Sequence, residues 1–127
     1  MQRDARWREF AFGQWEGLTW DEIAERWPHA REHGATAAKR YTPEGGESFE
    51  VVCARVANAI ADLQTSGFER ILVVTHAGTL HAMLHTLFGE REAEMQEVFG
   101  VRFSPGSVTR VRLDVGRAEL LSLNVSS

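Results

Sequence analysis

The stretch ILVVTHAGTL, residues 71–80, constrains the fold more than any other part of the sequence. Its apolar run leaves no polar face, so residues 70–75 are expected to form a β-strand buried on both sides. His76-Ala77-Gly78 then turns the chain, and apolar residues at helical spacing predict an amphipathic helix over residues 79–88. A double-faced strand followed by a helix is typical of a parallel sheet covered by helices. The sequence therefore predicts an α/β fold.

The region before this stretch is expected to contain two helices and two loops. A capping box at residues 19–22 predicts a short helix that Pro28 ends. Apolar residues at helical spacing predict a long helix that begins at Ser48 and is closed by Gly67. The loops are expected over residues 1–18, which are rich in aromatic residues and glycine, and over residues 29–47, a long connection with at most one helical turn.

The region after the stretch is expected to end in a β-hairpin. Residues 90–106 predict a short helix followed by a loop. Alternating apolar residues then predict two strands joined near residues 114–117. With no internal repeat and no low-complexity linker, residues 1–127 are interpreted as a single domain.

The charge of the chain excludes two classes of partner. A net charge of −4 and a pI near 5.7 give no dense positive field, so neither nucleic acid nor an anionic membrane is an expected partner. The single cysteine, Cys53, cannot form an internal disulfide, and no apolar run approaches the roughly 20 residues that cross a bilayer. A cytoplasmic location is therefore expected.

Four of the five histidines are considered as candidates for chemistry. His76 lies where a helix begins after a strand, a position that favours an anion, although it could instead cap a turn or bond a neighbouring loop. His81 and His85 share the spacing of a metal-binding pair but lack a neighbouring Glu and a third ligand, so they are interpreted as solvent-exposed and no metal is expected. Glu32-His33-Gly34 has no strand before it and is interpreted as a loop.

Four separated segments together indicate a family. In order along the chain they are EFAFGQWEG (residues 9–17), TPEGGES (42–48), VVTHAG (73–78) and GSVTR (106–110). Their order and spacing resemble those of the histidine phosphatase superfamily, the phosphoglycerate mutase-like enzymes, over nearly the whole chain. Within it the sequence looks most like the small bacterial α-ribazole and broad-specificity phosphatases. The resemblance implies a three-layer α/β/α fold, of which this chain matches the C-terminal two-thirds.

The resemblance also implies roles for individual residues. Glu9 resembles the general acid that protonates the leaving oxygen and then activates water, although from the residue alone it would be a surface carboxylate. His76 resembles the pocket histidine that donates a hydrogen bond to a phosphoryl oxygen and stabilises charge in the transition state. Ser48 is also a plausible N-cap. The residues that resemble the substrate-binding positions are Gly45, Gly46, Glu47, Ser48, Ala77 and Gly78.

One departure from the family pattern concerns the nucleophile. The family attacks with the histidine of an Arg-His-Gly motif at the end of its first strand, and this sequence contains no Arg-His-Gly. A second phosphate-binding arginine lies in the same unmatched segment. That first strand lies in the middle of the family's sheet, beside the strand that matches residues 71–75. We therefore expect a natural polypeptide that is longer at its N-terminus, through truncation or a late start codon here, or else a partner chain that supplies the strands.

The expected activity is that of a metal-independent phosphomonoester hydrolase with a phosphohistidine intermediate. This chain alone is expected to be inactive, because a Glu–His pair cannot replace the nucleophile. The alternatives are a non-catalytic remnant that binds phosphorylated ligands or a protein, and a phosphoglycerate mutase-type phosphotransferase. The expected partners are a small phosphorylated metabolite and either a second copy of the chain or a strand-supplying chain, with no cofactor.

Overall fold

The computed structural model describes residues 1–31 and 41–126. The predicted Glu32-His33-Gly34 loop and the middle of the predicted 29–47 connection lie outside these residues. The helices and strands are α1 (Trp20–Arg26), α2 (Pro28–Arg31), α3 (Phe49–Thr65), α4 (Ala77–Phe88), α5 (Gln96–Phe99), β1 (Val108–Asp114) and β2 (Arg117–Val125). Short 3-10 helices cover Ala5–Trp7, Gly13–Trp15 and Gly89–Arg91.

The predicted helices are confirmed with small shifts at their ends. Helix α1 begins with the predicted capping box, in which the Thr19 hydroxyl accepts a hydrogen bond from the backbone N–H of Glu22 at 3.2 Å. Helix α3 begins after Ser48, whose hydroxyl accepts from the backbone N–H of Val51 at 3.1 Å. Helix α4 starts at Ala77, two residues before the predicted position.

The predicted C-terminal hairpin is confirmed. Strands β1 and β2 pair antiparallel, and residues 115–116 connect them. Gly116 has a φ of 72°, a left-handed conformation that glycine adopts without steric cost. The register shifts on either side of Arg110, so the first residues of β1 form a bulge.

The predicted strand over residues 70–75 is wrong for this chain as it stands. The segment is neither helix nor strand, and none of its backbone groups bonds to another backbone group among the described residues. Leu72 and Val74 are 82% and 85% exposed, whereas Val73 is half-buried against the core. The apolar run does not have the two covered faces that it was expected to have, because a strand needs a paired neighbour and this one has none in the described structure.

Three groups of buried side chains hold the elements together. The first joins the N-terminal segment, through Trp7 and Phe10, to α3 and α4. The second surrounds Trp15 and α1. The third joins α4 to α5 and the hairpin through Leu84. The predicted N-terminal loop is therefore an ordered part of the core. No helix among the described residues is long and apolar enough to cross a bilayer.

Candidate functional site

The carboxylate of Glu9 lies at the N-terminus of α4. Its Oε2 accepts a hydrogen bond from the backbone N–H of Gly78 at 3.2 Å, and its Oε1 accepts from the backbone N–H of Phe10 at 2.9 Å. The first N–H groups of a helix have no partner within the helix and carry partial positive charge, so a carboxylate is stabilised there. Two residues that are 69 positions apart in the sequence are thereby brought into contact.

His76 occupies the N-cap position of the same helix. Its backbone is extended, with φ −128° and ψ 161°, and its carbonyl oxygen accepts from Leu80 N at 2.9 Å. The imidazole makes no capping hydrogen bond and is exposed. The helix-capping alternative for this side chain is therefore not supported, and the exposed residue lies at the end of the helix whose Gly78 N–H binds the Glu9 carboxylate.

Gly78 allows the Glu9 carboxylate to approach the helix. A Cβ atom added at this position would lie 2.8 Å from Cδ2 of Phe10 and still closer to Oε1 of Glu9. Such distances are far below van der Waals contact, so any side chain here would displace the carboxylate. Ala77, the first residue of α4, is exposed beside it. Of the predicted residues 76–78, Gly78 therefore contacts Glu9 directly, and His76 and Ala77 are its exposed neighbours along the chain.

Two of the family-like segments lie against each other. The backbone N–H of Glu47 donates to the carbonyl of Ala11 at 2.7 Å, and that of Gln14 donates to the carbonyl of Glu44 at 3.0 Å. A Cβ on Gly46 would lie 2.6 Å from the Ala11 carbonyl oxygen, so glycine permits this close approach. The structure therefore brings the segment of residues 42–48 beside the Glu9 segment, whereas GSVTR forms the turn and start of β1.

Arg55 on α3 joins these segments and was not identified from the sequence. Its guanidinium donates to Oε2 and Oε1 of Glu47 at 3.0 and 3.1 Å. It also donates to the carbonyls of Arg6, Arg8 and Glu9 at 2.7, 3.0 and 3.2 Å. Arg55 is the one arginine of α3, and helical spacing does not show whether its side chain faces solvent or the loops beside the helix, so this role could not be read from spacing.

The Arg55–Glu47 pair is largely withdrawn from water. The side chains are 11% and 12% exposed, which makes this the most buried ion pair in the described part of the chain. Hydrogen bonds from Arg55, together with one from the backbone of Ala11 and despite partial burial, hold the pKa of Glu47 below its ordinary value. The Glu47 carboxylate thus bonds to Arg55, and the Ser48 hydroxyl caps helix α3. Both groups face partners within the chain.

The hydroxyls of Thr75 and Thr79 hydrogen-bond to the backbone just before Glu9. Thr75 donates to the carbonyl of Trp7 and Thr79 donates to the carbonyl of Arg8, each at 2.6 Å. Thr79 is fully buried, so its hydroxyl needs this acceptor. Thr75 precedes His76, and Thr79 follows the His76-Ala77-Gly78 turn. Their hydroxyl groups were the signal in the sequence that could have indicated these two hydrogen bonds.

The histidine pair on α4 does not have the environment predicted for it. His81 and His85 are half-buried, where the sequence indicated solvent exposure. The ring of His81 packs edge-on against Phe103, and that of His85 packs edge-on against Phe49 and Phe99. Within residues 1–31 and 41–126, no group of three metal-ligating side chains is present.

Comparisons with known proteins agree with the motif pattern. The model of the histidine phosphatase superfamily (branch 1) matches residues 1–126. A 2,3-bisphosphoglycerate-dependent phosphoglycerate mutase from Methylobacterium radiotolerans is 30% identical over 99 residues, covering 76% of this chain and 47% of that protein. A protein from Hydrogenobacter thermophilus, provisionally named as a phosphoserine phosphatase, is 25% identical over 121 residues, covering 95% of this chain and 58% of that protein.

Solved structures agree as well. Mycobacterial hydrolase 1 superposes with a TM-score of 0.82 at 28% identity, covering 98% of this chain and 63% of that one. A mycobacterial glucosyl-3-phosphoglycerate phosphatase, in complex with VO3, superposes with a TM-score of 0.77 at 29% identity, covering 97% of this chain and 64% of that one. The chain therefore spans less than two thirds of each of these relatives, and its mixed α/β structure agrees with part of a phosphoglycerate mutase-like fold. By its motifs, its fold and the family match over residues 1–126, the chain belongs to the histidine phosphatase superfamily.

Proposed function

We propose that this chain supplies the acid and the phosphate-contacting residue of a metal-independent phosphomonoesterase. The observation that carries the proposal is that the Glu9 carboxylate accepts from the Gly78 N–H in the first turn of α4, the helix for which His76 is the N-cap residue. An acid and a hydrogen-bond donor at one helix end suit a reaction in which negative charge develops on a phosphoryl group. Phosphatases among the relatives support the same reaction class.

The proposed reaction has two steps. A histidine of an Arg-His-Gly motif attacks phosphorus and the ester P–O bond breaks, while Glu9 donates a proton to the leaving oxygen. Water then attacks the phosphohistidine, Glu9 accepts a proton, and inorganic phosphate leaves. His76 donates a hydrogen bond to a phosphoryl oxygen in both steps. The 127 residues contain no Arg-His-Gly, so we expect no turnover from this chain by itself.

The substrate class we propose is a small phosphorylated metabolite, as for an α-ribazole-type or broad-specificity phosphatase. A mutase-type phosphotransferase is a second candidate within the class, favoured by the phosphoglycerate mutase among the relatives. A non-catalytic phospho-ligand binder is a third, favoured by the lack of an Arg-His-Gly motif. Gly46, Ala77 and Gly78 are proposed to border the ligand. We also propose a cytoplasmic location, because a chain with Cys53 as its one cysteine fits a reducing compartment.

The assignment is tested with the chain itself. With p-nitrophenyl phosphate and EDTA we expect no turnover above background, and hydrolysis that disappears in His76→Asn would refute our account of the nucleophile. Inorganic phosphate, followed by NMR, is expected to shift the His76 ring and the Gly78 amide. The His76→Asn variant should weaken this response, and His29→Asn, at another exposed histidine, should leave it unchanged. A phosphate titration that moves neither signal would remove His76 from the phosphate-contacting role.

A further inference from the structure

The guanidinium of Arg55 donates five hydrogen bonds, and all three of its nitrogens take part. Two of the bonds go to the oxygens of Glu47 and make the ion pair. The other three go to the carbonyls of residues 6, 8 and 9. An ion pair by itself requires only the first two bonds. The three bonds to backbone therefore indicate that Arg55 also sets the course of the chain around Glu9.

One of these carbonyls belongs to a peptide group that also binds the Glu9 carboxylate. The carbonyl oxygen of the Glu9–Phe10 peptide accepts from Nη2 of Arg55 at 3.2 Å, and the N–H of the same peptide donates to Oε1 of Glu9 at 2.9 Å. A peptide group is planar, so holding its oxygen fixes the direction of its N–H. The orientation of the Glu9 carboxylate is thereby linked to Arg55 through one rigid unit.

The surroundings of this peptide group restrict its movement further. Phe10 is 6% exposed, and its ring stacks on those of Phe12 and Phe49 with centroid distances of 5.8 and 6.2 Å. On the other side, Oε2 of Glu9 accepts from the N–H of Gly78 at 3.2 Å. A peptide whose carbonyl bonds to a cation is also a better donor through its N–H, because hydrogen bonds in a chain polarise one another. The carboxylate therefore lies between two fixed N–H groups, and Arg55 controls one of them.

We propose that Arg55 is the positioning residue for Glu9 and acts through the Glu9–Phe10 peptide. This inference rests on the proposed role of Glu9 as the acid. A general acid must lie within hydrogen-bond reach of the leaving oxygen, so the direction of its carboxylate matters for proton transfer. Lysine is not equivalent at this position. Its ammonium keeps a positive charge beside Glu47 but lacks the planar fork that bonds to the carboxylate and the carbonyls together.

Amide NMR of the 127-residue chain tests the positioning role. The Phe10 and Gly78 amide signals are expected to move on acidification, because both groups donate to the Glu9 carboxylate. Glu9→Gln should abolish this movement, which assigns it to Glu9. Arg55→Lys should abolish most of the movement of the Phe10 signal. Leu84→Ala, at a fully buried residue of the third cluster, also destabilises the fold but should keep both movements.

Two results of this titration would overturn the proposal. The first is a Phe10 signal that moves as far in Arg55→Lys as in the unaltered chain. The second is an equal loss of movement in Arg55→Lys and Leu84→Ala, which would show that the signal follows stability alone. The readout follows the Glu9 carboxylate and requires no phosphate. A failed phosphate response at His76 would therefore count against the proposed function and not against the link between Arg55 and Glu9.

The Nη protons of Arg55 provide a second measurement that needs no variant. Hydrogen bonds on both Nη atoms restrain rotation of the guanidinium, so we expect separate Nη proton signals for Arg55. Arg112 is the comparison, because it is 58% exposed and donates to Glu119 through Nη1. Its Nη signals should be averaged at the same temperature. Averaged signals for Arg55 as well would show a mobile guanidinium and overturn the proposal.

Discussion

Replacing Arg55 by methionine is expected to cause a large loss of stability for a single substitution at an ion pair. The guanidinium and the Glu47 carboxylate are 11% and 12% exposed, so the change leaves a buried carboxylate with only the exposed Arg8, at 3.3 Å, as its cation. It also removes the Arg55 hydrogen bonds to the carbonyls of residues 6, 8 and 9, of which the Arg8 carbonyl keeps the Thr79 hydroxyl as a donor. Breaking a buried pair by removing one partner costs about 3–5 kcal/mol, and we expect Arg55→Met to lower the free energy of unfolding by about this amount.

Urea denaturation at neutral pH, followed by the fluorescence of the buried Trp7 and Trp15, measures this loss. Arg112→Met provides the matched control, because Arg112 and Glu119 make a 3.0 Å pair whose side chains are 58% and 52% exposed. An exposed pair contributes about 1 kcal/mol or less. The Glu47→Gln/Arg55→Met double variant should be less destabilised than Arg55→Met, because no unpaired charge remains buried.

Two outcomes would refute this reasoning. If Arg55→Met and Arg112→Met changed the free energy of unfolding equally, burial would not be what makes the Arg55 pair important. If the double variant lost as much stability as Arg55→Met alone, the cost would lie in the three carbonyls and not in the stranded carboxylate of Glu47.

The remaining predictions concern pH, a close approach and a buried hydroxyl. Because the folded-state pKa of Glu47 is lowered, its contribution to stability is present above the unfolded-state pKa and lost as pH falls through the folded value, so Glu47→Gln should flatten the acid side of a stability–pH curve. Gly78→Ala should displace the Glu9 carboxylate and cost about 1–3 kcal/mol, whereas Gly89→Ala, with 3.6 Å of clearance, should be mild; equal unfolding midpoints would contradict this. Thr79→Val should cost about 1 kcal/mol in urea denaturation, because the Arg8 carbonyl loses one of its two side-chain donors while Arg55 still donates to it, and an unchanged midpoint would disprove it.

Local signals in the sequence were sufficient for the helices and the hairpin. The capping box at Thr19, the N-cap at Ser48 and the turn at Gly116 each depend on residues within a few positions of one another, so spacing alone predicts them. The predicted strand over residues 70–75 was wrong because strand pairing depends on residues that are distant in the sequence. Its apolar pattern indicates that a strand is favourable, but pairing depends on a neighbour that spacing within these residues does not reveal.

The residues of the candidate site also fall into those that the sequence pattern predicted and those that it did not. The sequence pattern led to Glu9 and His76, and the structure places both at one helix end. It did not lead to Arg55, whose partners lie 8 to 49 positions away and include backbone carbonyls that are the same for every residue type. Nor did it show that Glu47 would face Arg55, because a glutamate in a loop has no intrinsic preference between solvent, ligand and a distant arginine.

Helices α3 and α4 hold the Glu9 segment in place. Arg55 of α3 donates to the Glu9 carbonyl, and α4 contributes the Gly78 N–H to the Glu9 carboxylate and the Thr79 hydroxyl to the Arg8 carbonyl. The open segment of residues 71–75 takes part only through the Thr75 hydroxyl, which points to the opposite side from Leu72 and Val74. A change on the exposed face of residues 71–75 is therefore expected to leave the hydrogen bonds of Glu9 to helices α3 and α4 in place.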